Sequence, residues 1–190
     1  MTELAHLPRG LLSLEQWDAL ELDATRRWEL SEGTLVMSPP PELWHQRISK
    51  RLVRILDDHL PDGFEAVPGI EVITSPSFPP SVREPDIVVV PDRVFQGRLA
   101  RIPAADAVLV VEIVSPGSRG RDHVMKSHEY AKARIANYWI VDPDAPIDDR
   151  FVVYRLDGEI YRQVAALDGD RVQVHQPTDM QFSLDALTGH

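Results

Sequence analysis

Asp86 and Glu112 each interrupt an apolar run that reads as a buried strand: Pro85-Asp86-Ile87-Val88-Val89-Val90 and Val108-Leu109-Val110-Val111-Glu112-Ile113-Val114-Ser115. Near-continuous apolar runs mark strands covered on both faces. An ionised carboxylate in such a strand is costly unless it is paired, hydrogen-bonded or bound to a metal. Two of them in one small domain point to a shared partner, and a divalent cation is the simplest. Mg²⁺, with Mn²⁺ as an alternative, takes oxygen ligands and keeps several waters. With a lysine beside it, such a site has the parts of a metal-dependent phosphodiesterase. The cation polarises the phosphate and activates a water, and the lysine orients that water or stabilises developing charge.

The lysine in question is Lys126. Asp122, Lys126 and Tyr130 follow one another at i, i+4 and i+8, so one helix face carries all three. The short connection after Ser115 allows that helix to fold back over the strand end. Lys126 then reaches the carboxylates, with Asp122 holding its ammonium and Tyr130 packing below. Alternation places Glu112 and Val114 on one face of their strand, opposite Val111 and Ile113. The backbone carbonyl of Ile113 is therefore a candidate third metal ligand.

Each residue also has a plainer reading. Asp86 fits a strand-end cap, and Glu112 a buried ion pair with an arginine such as Arg83. Lys126 alone fits a surface lysine. His45, next to Trp44 on a helix, fits either a site residue or a partly buried histidine bonded to a loop. Glu29 alternates with Trp28 and Leu30, which reads as an exposed strand position unless it serves the site. His123 and His128 read as solvent-facing, and Tyr138 and Trp139 as core residues.

These residues need elements to position them. Ser13-Leu14-Glu15-Gln16 is a capping box for a short helix through Leu20. Trp28-Glu29-Leu30, a turn at Glu32-Gly33, and Thr34-Leu35-Val36-Met37 read as a β-hairpin. Trp44, Ile48, Leu52, Ile55 and Leu56 recur at helical spacing between Glu42 and Leu60. Weaker strands follow at 64–67 and 70–74, then the strands 86–90 and 107–115 and a turn at Pro116-Gly117-Ser118. A helix fits 122–133, and Tyr138-Trp139-Ile140-Val141 is another buried strand. The remainder reads as β-meander (151–156, 159–166, a strand near Val172) with a last short helix at 183–187.

At 190 residues the chain suits one α/β domain, and 43% hydrophobic and 26% charged residues are ordinary globular values. With no cysteine there is no disulfide framework and no thiolate metal site. No apolar run is long enough to span a membrane and the N-terminus lacks a signal-peptide core, so a cytoplasmic protein is expected. The net charge of -10 argues against a protein that coats nucleic acid nonspecifically. Two basic stretches stand out: His45, Arg47, Lys50, Arg51 and Arg54, and Arg119, Arg121, Lys126, Lys132 and Arg134.

Several motifs together resemble the family of Uma-type putative restriction endonucleases. They are Trp28-Glu29-Leu30-Ser31-Glu32-Gly33, Met37-Ser38-Pro39-Pro40 followed by His45, Pro85-Asp86-Ile87-Val88-Val89, and Val111-Glu112-Ile113-Val114-Ser115-Pro116. Asp122-x-x-x-Lys126-x-x-x-Tyr130-Ala131 and Asn137-Tyr138-Trp139-Ile140-Val141-Asp142-Pro143 complete the set. The resemblance spans roughly residues 28–161, the nuclease-like core, leaving an N-terminal helix and a C-terminal β extension of the same domain. It implies the PD-(D/E)xK superfamily fold, a mixed sheet flanked by helices. It further implies that Asp86 and Glu112 bind metal and that Lys126 is the catalytic lysine. The superfamily's usual lysine position, two residues after the glutamate, holds Val114, so Lys126 is a migrated replacement. Glu29 and His45 match family positions near the site. Thr34 stands where the family commonly has glutamate, a departure that bears on any metal role of the second hairpin strand and not on Asp86, Glu112 and Lys126.

The leading expectation is Mg²⁺-dependent hydrolysis of phosphodiester bonds in DNA, with basic segments on backbone phosphates. A homodimer suits cutting of both strands. The alternatives are a silent nuclease-fold domain that binds nucleic acid or protein, and a hydrolase of small phosphate esters, which needs a deep closed pocket.

Overall fold

The computed structural model describes residues 10–23, 25–38, 40–97, 99–115 and 121–189, and the side chains of residues 121–123 fall outside that description. Expectations about the first nine residues, the turn at Pro116-Gly117-Ser118 and the side chains of Asp122 and His123 therefore lie outside the described residues.

In chain order, the first elements are α1 (Leu14–Asp18), the hairpin β1 (Arg27–Ser31) and β2 (Thr34–Ser38), and α2 (Leu43–Asp57). Strands β3 (Phe64–Pro68), β4 (Glu71–Ser75), β5 (Ser81–Arg83), β6 (Ile87–Pro91), β7 (Arg101–Pro103) and β8 (Leu109–Ile113) follow. Then come α3 (Arg121–Lys132), β9 (Asn137–Val141), β10 (Phe151–Asp157) and β11 (Ile160–Val164). The chain closes with β12 (Leu167–Asp168), β13 (Arg171–Val174), β14 (Met180–Ser183) and α4 (Leu184–Thr188). The capping box at Ser13 and Gln16 forms as its sequence predicts.

The central sheet has the order β11-β10-β9-β8-β6-β3 and is mixed: β8 and β9 are parallel, the other neighbours antiparallel. Parallel neighbours require a crossover, and α3 supplies it, so that helix must lie across one face of the sheet. Alternation then sorts the side chains. Ile87, Val89, Leu109, Val111, Ile113, Trp139 and Val141 share a core with Ile48, Leu52 and Leu56 of α2. Val88, Val90, Val110 and Tyr138 pack on the other face with Tyr130 and Ile135. Helices thus cover both faces of a mixed sheet, the α/β restriction-endonuclease-like architecture.

A second sheet, β2-β1-β5-β4-β7, carries the hairpin. Its two-residue loop has positive φ at both Glu32 (45°) and Gly33 (75°), the twist that a tight hairpin needs. Gly33 is required twice over, because a Cβ there would meet the Leu11 Cβ at 2.9 Å. The expected meander divides: β10 and β11 extend the central sheet, while β12, β13 and β14 form a small separate one. The short strands β5, β7 and β14 have too few residues to show a period in the sequence.

Candidate active site

The β6–β8 pairing runs out at Ile87 opposite Val111. Beyond it the N–H and C=O of Ile113, on the β6 side, have no strand to bond. Asp86, immediately before β6 rather than inside it, fills the gap: its Oδ2 accepts the Ile113 N–H at 2.6 Å. His45 Nε2, from the first turn of α2, lies 3.1 Å from the Ile113 carbonyl and 3.1 Å from Asp86 Oδ2. Both neighbours are acceptors, so Nε2 carries the proton. Nδ1 is buried and has no partner among the described residues. The other Asp86 oxygen, Oδ1, accepts from Arg27 Nη1 at 2.6 Å.

Glu112 points the other way, toward α3. Lys126 Nζ lies 3.1 Å from both of its oxygens, and the Tyr130 hydroxyl donates to Oε1 at 2.6 Å. The same ammonium is 3.1 Å from Glu29 Oε1. Spacing at i and i+4 on α3 brings Lys126 and Tyr130 to one carboxylate.

Alternation along β1 sends Arg27, Glu29 and Ser31 to the same face, and each reaches this region. Glu29 also accepts from Arg83 Nη1 at 3.0 Å and from the Glu84 N–H at 3.1 Å. The Arg83 fork spans Glu129, through Nε at 2.6 Å and Nη2 at 2.7 Å, and bonds Ser31 Oγ. Glu29 is therefore not the exposed strand residue its alternation predicts: it is 2% exposed, as buried as Asp86 at 3% and Glu112 at 5%. The polar face of β1 meets the sheet and α3 instead of water. Arg83 pairs with Glu29 and Glu129 and not with Glu112. His128 is exposed, and Tyr138 and Trp139 are buried, as expected.

The site is anionic. Glu29, Glu84, Asp86, Glu112 and Glu129 pair with Arg27, Arg83 and Lys126, with His45 beside Asp86, so acidic side chains outnumber the arginines and lysine. Burial pushes the Glu112 carboxyl up to about 7, helped by the charges of Asp86 and Glu29 and opposed by Lys126 and Tyr130. Burial pushes Asp86 the same way, but hydrogen bonds from His45 and the charge of Arg27 outweigh it and hold it below the usual range. Burial likewise opposes ionisation of Glu29, and Lys126 and Arg83 prevail and hold it low. Tyr130 is held well above its ordinary value by burial and the nearby carboxylates, so it stays a donor.

The donor set fits a hard divalent cation. The oxygens of Asp86, of Glu112 and of the Ile113 carbonyl are of the kind that Mg²⁺ takes, and the excess of acidic side chains favours a cation. No three His, Asp or Glu side chains converge on a metal position among the described residues. A cation held here would rely on few protein ligands and on water. Beside Asp86 lies a cleft of about 380 Å³, lined by Arg27, His45, Gln46, Lys50, Pro68 and Gly69 among others.

The family model for Uma2, described as "Putative restriction endonuclease", matches residues 14–186. The chain belongs to the Uma2 family. One solved structure, described as a putative nuclease belonging to DUF820 from Anabaena variabilis, is similar with a TM-score of 0.70 and 20% identity, over 93% of this chain and 97% of that one. At that identity the likeness establishes the fold. No curated protein matches the chain in sequence. No helix of the described residues is long and apolar enough to cross a membrane.

The structure brings Asp86, Glu112, Lys126, Glu29, His45 and Ile113 into one connected network, joined through Arg27 and Glu84. Sequence reading missed Arg27 as a site residue, although its place two before Glu29 puts it on the same strand face. It also missed Glu129, three residues after Lys126 on α3.

Proposed function

We propose that this Uma2 protein is a Mg²⁺-dependent endonuclease that hydrolyses phosphodiester bonds in DNA, with Mn²⁺ able to replace Mg²⁺. The observation that carries the reading is Lys126: an ammonium 3.1 Å from both oxygens of a buried glutamate that projects from a strand end. It arrives from α3, and Val114 stands two residues along the strand from Glu112. Asp86, Glu112 and the Ile113 carbonyl would hold the cation. When bound, the cation supplies Lewis-acid stabilisation of the negative charge that builds on the phosphate.

The chain's own groups do the rest. Between two carboxylates, Lys126 remains an ammonium and acts as a hydrogen-bond donor, holding the attacking water or the developing oxyanion. Glu29 fixes where that ammonium sits, and Tyr130 fixes the Glu112 carboxylate. His45 holds Asp86 and the Ile113 carbonyl in register. Arg47, Lys50 and Arg54, exposed on α2, supply charge for backbone phosphates.

A second reading, a nuclease-fold domain that binds without cutting, draws on the ion pair that already covers Asp86. Cleavage of supercoiled plasmid in Mg²⁺ separates the two. The endonuclease reading expects nicked or linear product with wild type and at least about a hundredfold loss in Lys126→Met. Intact plasmid at every Mg²⁺ and Mn²⁺ concentration would make the binding domain the better reading. The cleft beside Asp86 opens along exposed Gln46 and Lys50, which suits a strand better than a small ester.

A further inference from the structure

Every oxygen of Asp86 is occupied. Oδ2 takes the Ile113 N–H and lies 3.1 Å from His45 Nε2, and Oδ1 takes Arg27 Nη1 at 2.6 Å. Arg27 and His45 both line the cleft, but Arg27 reaches further outward: its side chain is 20% exposed against 5% for His45, and its Nε lies 3.4 Å from Glu84 Oε1. Burial of Asp86 with no cation beside it would be strongly unfavourable. Yet a guanidinium on Oδ1 holds one of the two carboxylate oxygens that a metal would need.

We infer that Arg27 is a displaceable internal cation and a positioning residue for substrate. It neutralises Asp86 in the free protein. When a divalent cation takes Asp86, the Arg27 fork turns to the phosphodiester in the cleft. The inference rests on the metal-dependent reading above. A planar fork with several donors suits either partner, since carboxylate and phosphate present the same paired oxygens. Arg27 starts β1, a strand fixed by its hairpin, so only the side chain needs to move. Metal and substrate then bind cooperatively, because each supplies what the other removes: the metal replaces the charge on Asp86, and the phosphate replaces the carboxylate on Arg27. The coupling is reciprocal by necessity.

Calorimetric titration of Mg²⁺ tests this, without DNA and with a short duplex carrying phosphorothioate links. Wild type is expected to bind Mg²⁺ weakly alone and on the order of tenfold more tightly with the duplex. Arg27→Gln should bind Mg²⁺ alone about as tightly as wild type does with DNA, and gain nothing from the duplex. Arg27→Lys, which keeps the charge and loses the fork, should keep metal binding weak and lose the gain, so it decides the matter if the glutamine variant does not fold. Thermal unfolding adds a second readout. Arg27→Gln should melt lower than wild type in EDTA and recover in Mg²⁺, whereas a residue that only braced the fold would leave it low in both. Equal Mg²⁺ affinity with and without DNA, unchanged by either substitution, would overturn the role of Arg27 and leave the metal site standing. No Mg²⁺ binding by wild type even with DNA would overturn both.

Discussion

Glu112 makes a contribution of its own to the pH dependence of the free protein. Its folded carboxyl titrates near 7 against an ordinary 4.5, because burial and the charges of Asp86 and Glu29 disfavour the ionised form. A group raised in this way binds its proton more tightly when folded. Its contribution to stability is fully present below about 4.5 and is lost as pH rises through about 7. Denaturation in EDTA at a series of pH values should show that loss in wild type, and Glu112→Gln should remove it. Tyr130→Phe deletes the hydroxyl that donates to Glu112 Oε1 at 2.6 Å. The loss should cost about 1.5–3 kcal/mol at pH 8, read from the urea midpoint, and should raise the Glu112 pKa further, since that bond favours the charged form.

At the scale of elements, Arg83 on β5 ties the hairpin to α3 through Glu29, Ser31 and Glu129. Arg83→Met takes the cation from Glu129 and leaves Glu29 with Lys126 alone, and it should cost about 3–5 kcal/mol, measured by chemical denaturation. Lysine should not restore it, since it lacks the planar fork whose Nε, Nη1 and Nη2 reach Glu129, Glu29 and Ser31 together. The long elements were legible in the sequence because each has a period: 3.6 for α2, and continuous apolar runs for β6, β8 and β9. Asp86, Glu112 and Lys126 were legible because each is out of character with its surroundings or spaced on one helix face. Glu29 and Arg83 were harder. Alternation shows that the two faces of β1 differ, but not that the polar face meets another element. Arg83 lies on a three-residue strand, and its partners are 54 residues before it and 46 after it. Such long-range pairing leaves no local mark.

Across the whole molecule, a net charge of -10 works against DNA, so binding must come from local charge. Arg47, Lys50 and Arg54, at i, i+3 and i+7 on α2, form one exposed ridge beside the cleft. Lys50→Ala should weaken DNA binding about equally for all sequences and reduce the slope of log K against log salt by about 1, measured by fluorescence anisotropy. A sequence-dependent loss would mean that Lys50 reads bases instead.

The nuclease reading depends on Asp86 and Glu112 sharing a cation. Paramagnetic titration of Mn²⁺ in the presence of phosphorothioate DNA, comparing wild type with Asp86→Asn, Glu112→Gln and Lys126→Met, tests that most directly. One tight Mn²⁺ per chain is expected in wild type and in Lys126→Met, and none in the other two. Tight binding that survives both carboxylate substitutions, or no binding in wild type, would contradict it.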